Sequence, residues 1–342
     1  MRQILYLIID KIKFILCCKL GLFKIPKHKR YFHQDEFIEK IKGSAMEAVV
    51  DCVGKTNSRV NFNSLFDYTY NKNICVSSDY GGENNASKYN TYTFTFHTYS
   101  TLENWLSEVE KLKSSKNYSQ IAPEYKTTSV DSRHGKLRDW FELTKKHFKG
   151  VIFTFAVDKN IDSLFANTKT DLYNLVKSQP HFKDCAYGEY ITEKIFRISN
   201  FMCLVLAHTL QEDGGFFWMS DKDSINQKPD YWKFSTKIHN HILRHYCEHL
   251  TCVQKGYAMP FSKKDIFSND FLSLSDLIAG AYDDYFNHWD IADNPQLMLT
   301  SLKGKTIEIL SSISDIPSFA YVIDKQSNGG ISCKNIEIII KE

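Results

Sequence analysis

The spacing of hydrophobic positions changes several times along the chain, and each spacing predicts an element. Thr91–Thr98 (TYTFTFHT) alternates polar and apolar residues at every step, the signature of a strand. Val151–Val157 (VIFTFAV) is apolar at nearly every position, as expected of a central strand covered on both faces. Ile74–Ser78 (ICVSS) and Phe216–Ser220 (FFWMS) are shorter β-prone runs. Apolar spacings of three and four predict helices over 32–50, 101–113 (capped by Thr101), 135–148, 187–211, 231–250 and 273–288. Residues 54–73, rich in Asn, Ser and Tyr, read as loop with short extended pieces, and 114–134 as irregular. The tail Ile336–Ile340 (IEIII) reads as a last strand. No internal repeat is visible.

Strands and helices therefore alternate, which predicts an α/β fold with a mixed sheet flanked by helices. The short Gly-rich link after Ile74–Ser78 predicts antiparallel pairing with the strand that follows. The domain reading is a helical extension over 1–50 and one domain over 51–342, with helical insertions at about 160–211 and 231–260.

The first 23 residues look hydrophobic, but Asp10, Lys11 and Lys13 interrupt the run. A spanning helix needs about 20 mostly apolar residues, and no small-residue cleavage site follows. Plotted as a helix, Ile4, Leu5, Leu7, Ile8, Ile9, Ile12, Phe14, Ile15 and Leu16 make a broad apolar face, and Lys19, Lys24, Lys27, Lys29 and Arg30 follow. Such a basic amphipathic segment suits a membrane surface, the chain's own core or a protein partner, so residues 1–30 are the candidate docking segment. Cys17 and Cys18 are positioned for acylation, though nothing in the sequence requires it.

Composition narrows the classes. With 342 residues the chain can bury a large core without a disulfide or metal staple. A net charge of +3 excludes a uniformly basic nucleic-acid coat but leaves room for a local basic groove. The nine cysteines are odd in number and form no CxxC pair, which predicts free thiols and a cytoplasmic, reducing location. Oligomeric state is not legible.

The candidate chemistry is acidic. Asp79, Asp158 and Asp221 stand at the ends of predicted strands, and Asp276 in the first turn of an apolar helix. Carboxyl ends of strands in an open α/β sheet share one edge. Carboxylates meeting there repel unless a cation neutralises them, and hard oxygen ligands select Mg²⁺ or Mn²⁺. Two such ions would activate water for phosphodiester cleavage. Asp at a strand end is also a common backbone cap, which is the competing reading for each residue singly.

The same residues resemble a family of ribonuclease-H-like proteins classed as a domain of unknown function. Asp79-Tyr80-Gly81-Gly82-Glu83 is similar to its Asp-Glu-Ser-Gly opening, with Tyr80 where an acid is usual and Gly81 where Ser is usual. Glu124-Tyr125-Lys126 is similar to its acidic-x-Lys element, and Ala156-Val157-Asp158-Lys159 to its Asp-Lys strand end. Leu272–Ala281 (LSLSDLIAGA) is similar to its closing Leu-Gln-Leu-Ala-Asp-Leu-Leu-Ala-Gly helix and is the most specific match. The resemblance implies a mixed five-stranded sheet, a metal-dependent carboxylate site and nuclease chemistry on RNA or DNA. In that reading Asp79 bridges the metals and Asp276 completes one of them. Asp221 or Asp158 supplies the other strand-end carboxylate. Glu124 is an additional candidate, Glu83 replaces the missing acid, and Asp223 is held in reserve. The competing reading is a degenerate fold of this type that binds nucleic acid or a protein without cleaving.

A second constellation is His239, His241, His245 and His249 with Cys247 and Cys252. His241, His245 and His249 share one helical face, a spacing that suits zinc, a polar surface or a proton shuttle for the acidic site. Gly54-Lys55-Thr56 lacks the first Gly of a phosphate-binding loop, since Val49 stands there. Basic runs at 24–30, 111–116 and 145–149 are candidates for phosphate contact, with ordinary solvated faces as the alternative.

Overall fold

The computed structural model describes residues 45–336 apart from 85–86, 117–122, 127–129, 181, 183–186, 213, 222, 227, 248–253, 259–265 and 290–294. The predicted helix in 1–23, Cys17, Cys18 and the basic run at 24–30 lie outside the described residues. Seven strands form one sheet in the order β5-β4-β1-β2-β3-β6-β7. They are β1 (Ile74–Gly81), β2 (Tyr89–Thr98), β3 (Gly150–Asp158), β4 (Gly215–Ser220), β5 (Gln254–Ala258), β6 (Ser318–Lys325) and β7 (Ile331–Ile336). β2 is antiparallel to β1 and β3, and β7 to β6, while β4–β1, β5–β4 and β3–β6 are parallel pairs. Five strands thus run one way, and their carboxyl ends lie along one edge. The sheet is mixed and flanked by helices, as the alternating pattern predicts.

Helices cover both faces. On one side lie α1 (Met46–Val60), α4 (Lys169–Ser178), α5 (Glu189–Thr209) and α6 (Pro229–Tyr246), packed on Ile74, Val76, Phe94, Phe96, Phe153 and Phe155. On the other lie α2 (Tyr99–Ser115), α3 (Val130–His147), α7 (Ile266–Phe286) and α9 (Gly304–Ser312), packed on Cys75, Ile152, Ala156, Phe217 and Met219. A short α8 (Pro295–Ser301) precedes α9. α5 is apolar almost all round because it is buried almost all round. Its Glu193 and Arg197, 2.8 Å apart, are both buried and pair with each other. Among the described residues no helix is long and apolar enough to cross a membrane.

The alternation in β2 has an unexpected consequence. Its aromatic face packs into the first core, yet its Thr and His face is equally buried, beneath α7. Two of these hydroxyls pair across strands, Ser77 with Thr95 at 2.6 Å and Thr93 with Thr154 at 3.0 Å, while the buried Thr91 hydroxyl and the His97 ring nitrogens have no partner among the described residues.

Several expected boundaries move. Residues 54–60, read as loop, complete α1, whose Met46, Val49, Val53 and Thr56 face the core at helical spacing. Polar Lys55, Asn57 and Ser58 only mark its outer face. Asn61 ends the helix in the left-handed conformation, φ 55°, and the Asn57 carboxamide oxygen accepts from the Phe62 N–H at 2.9 Å. α1 runs across the expected boundary at residue 50. Thr98 precedes α2, so Thr101 is not the cap; its hydroxyl lies inside the helix, 3.0 Å from the Thr98 and Lys149 carbonyls. α3 begins five residues before the predicted start at 135. β5 was expected to be helical, within 231–260; its run QKGYA is too short to carry a period and is held by β4 alone. The last described strand is Ile331–Ile336, and residues 337–342 lie outside the described set.

Candidate functional site

The edge predicted to carry the chemistry is where β1 and β4 end. β1 extends past Ser78, so Asp79 lies within the strand and pairs with Thr93 of β2. Ser78 of β1 is level with Ser220 of β4, so Asp79, still within β1, and Asp221, the first residue past β4, each directly follow that level pair. α7 crosses this region and presents Asp276. Burial pushes the Asp79 carboxyl well above the usual carboxylate range, and the charges of Asp276, Asp221 and Asp223 push it further, against a hydrogen bond from the Tyr80 N–H. Burial likewise raises Asp276, to about 6, with the Tyr125 N–H opposing, Glu124 and Asp221 adding and Lys126 opposing. Asp79, Asp221, Asp276 and Glu124, far apart in sequence, thus act on one another here. Among the described residues, however, no three His, Cys, Asp or Glu side chains stand close enough to hold one metal ion.

The Glu124-Tyr125-Lys126 segment reaches this edge through Tyr125. Its N–H donates to the Asp276 carboxylate at 2.5 Å, and its hydroxyl lies 2.8 Å from the Thr306 hydroxyl. Lys305 donates to its carbonyl at 2.5 Å and places its ammonium 4.0 Å from the ring centroid. Thr306 and the Lys303 N–H also donate to Asp284, at 2.7 and 3.1 Å, so a carboxylate from α7 occupies the N-terminus of α9.

Glu83 goes elsewhere. It pairs with Lys194 of α5 at 2.5 Å, and the same ammonium is 2.8 Å from Asp223 and 4.9 Å from the Tyr80 ring centroid. Tyr80 alternates to the face opposite Asp79, where its hydroxyl meets Ser78 at 2.7 Å and Trp218 donates to Ser78 at 2.9 Å. The position that resembles an acid in the family opening is therefore an aromatic residue on the far face. Asp223, the reserve candidate, is held by Lys194 yet remains within electrostatic reach of Asp79.

Asp158 does not join the group. The register makes Thr154 level with Asp79, through Thr93, so Asp158 lies four residues, roughly 13 Å, further along the strand direction. It is buried, and its carboxylate accepts from the Asn160 N–H at 2.8 Å, a local turn cap.

His239 is buried, its ring 5.2 Å from Trp218 and its Nδ1 3.7 Å from the Cys203 sulfur. His241 meets the Phe182 ring at 5.9 Å, and His245 meets Tyr246. His249 and Cys252 lie outside the described residues. Gly54-Lys55-Thr56 is in mid-helix, where the Thr56 hydroxyl donates to the Cys52 carbonyl at 3.0 Å. In the basic runs, Lys111 pairs with Glu108, Lys116 with Asp139 and Lys145 with Glu142.

Sequence reasoning missed Lys194, Lys305 and Asp283. Asp283 follows Asp276 by two helical turns, so the spacing on α7 was a usable signal. It accepts from the Ser87 hydroxyl at 3.2 Å, and burial raises its pKa. Lys194 had no such signal, because its partners come from two distant loops.

No family model, curated protein or solved structure matches this chain.

Proposed function

We propose that the chain is a metal-dependent nuclease that hydrolyses phosphodiester bonds of RNA or DNA at the edge bearing Asp79, Asp221 and Asp276. The observation that carries the reading is that Asp79 and Asp221 directly follow the level pair Ser78–Ser220 and, with Asp276 of α7, act on one another electrostatically. Five of the seven strands, β5-β4-β1-β2-β3, form a mixed arrangement compatible with the five-stranded sheet that the ribonuclease-H-like resemblance implies. The donor set fits Mg²⁺ or Mn²⁺, because hard carboxylate oxygens that destabilise one another gain most from a hard cation. When bound, such ions supply a hydroxide nucleophile near neutral pH and charge stabilisation at the phosphate. Asp79, on the central strand, anchors the site. Asp276 is oriented by the Tyr125 N–H, and Glu124 and Lys126 flank it, with Lys126 the nearby cation available for a phosphate.

The position of Glu83 favours a second reading. Because Lys194 holds it, the acid missing from the opening motif is not replaced. The alternative is a binding module that has kept the fold and lost the reaction.

The test is cleavage of labelled single- and double-stranded RNA and DNA with Mn²⁺, Mg²⁺ or EDTA, beside Asp79→Ala and Asp276→Ala. Metal-dependent cleavage abolished in both variants is expected. Binding of any of these nucleic acids without cleavage selects the binding module. Neither binding nor cleavage overturns the nuclease and the nucleic-acid-binding module alike.

A further inference from the structure

On the Tyr80 side of the acidic edge, the ammonium of Lys194 is enclosed by oxygens. It donates to Glu83 at 2.5 Å, to Asp223 at 2.8 Å and to the Ser224 hydroxyl at 3.0 Å. A lysine ammonium has three donors, so each finds an acceptor. The lysine is buried, and half-exposed Glu83 closes the cluster from the solvent side. Burial opposes the charge, but Asp223 and Glu83 outweigh it and keep the ammonium protonated. Asp223 then links this charge to the candidate site. Its N–H donates to the Asp221 carbonyl at 3.0 Å, and the Asn226 side-chain amide donates to the same carbonyl at 2.8 Å. Its carboxylate also accepts from the Ile225 N–H at 3.0 Å. The backbone that bears Asp221 is therefore tied to α5 through the Lys194–Asp223 ion pair.

We propose that Lys194 is a built-in cation of the acidic edge, standing in for a second metal ion, so that the site takes a single divalent ion. The inference rests on the nuclease reading and fixes its metal stoichiometry. Two-metal phosphodiester sites hold their cations about 4 Å apart, because clustered carboxylates need more charge than one ion supplies. Here two carboxylates and a hydroxyl already surround a cation, and they are the hard oxygen donors that Mg²⁺ or Mn²⁺ would recruit. Glu83 and Asp223 are committed to the ammonium, which leaves Asp79, Asp221 and Asp276 for the single ion. The Asp223 charge still reaches Asp79, so neutralising it lightens the load on that ion. Unlike a metal, the ammonium cannot be chelated away. Removing it would leave two carboxylates and a hydroxyl without a cation, a donor set that a divalent ion would then neutralise.

The experiment titrates the metal-stripped full-length chain with Mn²⁺ and counts bound ions from the electron paramagnetic resonance signal of the free ion. The wild type should take up a single Mn²⁺ per chain, and Asp79→Ala none. Lys194→Ala, checked for folding by circular dichroism, should take up two, and adding Asp223→Asn should return the count to one. Mn²⁺ should also raise the melting temperature of Lys194→Ala by more than that of the wild type. Should Lys194→Ala not fold, the wild-type count and Glu83→Gln decide. Glu83→Gln should keep the single ion at the wild-type affinity, because Glu83 is not a metal ligand. Two ions in the wild type, one ion in folded Lys194→Ala, or a loss of affinity of about tenfold in Glu83→Gln overturns the proposal and leaves the nuclease reading standing. No ion in the wild type overturns the metal-dependent reading and the proposal with it.

Discussion

The ring of Tyr125 lies directly on Gly280 of α7: a Cβ built on Gly280 would fall 2.2 Å from the ring's Cγ. The glycine is required here by close approach, since it lets the segment carrying Glu124 and Lys126 reach Asp276, one turn earlier on the same helix. Gly280→Ala should therefore displace Tyr125 and break the 2.5 Å bond from its N–H to Asp276. Overpacking of this kind costs about 1–3 kcal/mol. Chemical denaturation should report that loss, and any metal-dependent activity should fall with it.

Stability should respond to metal at the acidic edge. A ligand bound only by the folded state raises the melting temperature in proportion to its occupancy. Millimolar Mn²⁺ should raise the Tm of the wild type and leave Asp79→Ala and Asp276→Ala unmoved. Without metal, both variants should melt at or above the wild-type temperature, because each removes a carboxylate raised by burial and by its neighbours. A wild-type-like response to Mn²⁺ in both variants would remove these residues from the site.

The pH dependence has a definite sign. Asp276 titrates near 6 in the folded protein and at about 3.9 when unfolded, so between those values the folded state holds more protons. This group's contribution is present below about pH 4 and is lost as pH rises through about 6. Asp270, also raised to about 6 by burial although Lys113 pairs with it, slopes the same way. The comparison that isolates Asp276 is Asp276→Asn, whose amide oxygen still accepts from Tyr125. Its metal-free Tm should fall less than the wild type's across that window in a melting series.

Lys194 ties three elements together, and its side chain is only 4% exposed. Lys194→Met should leave Asp223 without its cation and free the segment after β4 that carries Asp221. Breaking a buried pair by removing one partner costs about 3–5 kcal/mol. Glu83, 49% exposed, contributes little of that. Urea unfolding should place Lys194→Met well below Glu83→Gln, and Asp223→Asn in the Lys194→Met background should recover part of the loss.

Much of the architecture was legible because hydrophobic period is a local property. The apolar run Val151–Val157 predicted a buried central strand, and the strand Gly150–Asp158 lies third from one border of the sheet. The long apolar stretch in 187–211 predicted a helix, and α5 over Glu189–Thr209 is one. Asp79, Asp221 and Asp276 were candidates from sequence because each sits beside an element whose period marks its end or face; Glu124, in a stretch without period, was a candidate only through the family resemblance. Short or locally ambiguous pieces were not legible: QKGYA has no period, and Lys55–Ser58 is polar yet helical because Val49, Val53 and Thr56 face the core.

The sequence by itself determined the types of the longer elements and the mixed sheet flanked by helices, and it offered the strand-end acids as candidates. Those follow from side-chain periodicity and composition, which depend on neighbours a few residues apart. Only the tertiary structure decided which acids meet. Strand register set Ser78 level with Ser220, directly before Asp79 and Asp221, and left Asp158 four residues beyond Asp79, and the alternation of β1 sent Tyr80 to the opposite face. Lys194 then captured Glu83 and Asp223. These pairings depend on the relative placement of elements remote in sequence, and no local pattern encodes that placement.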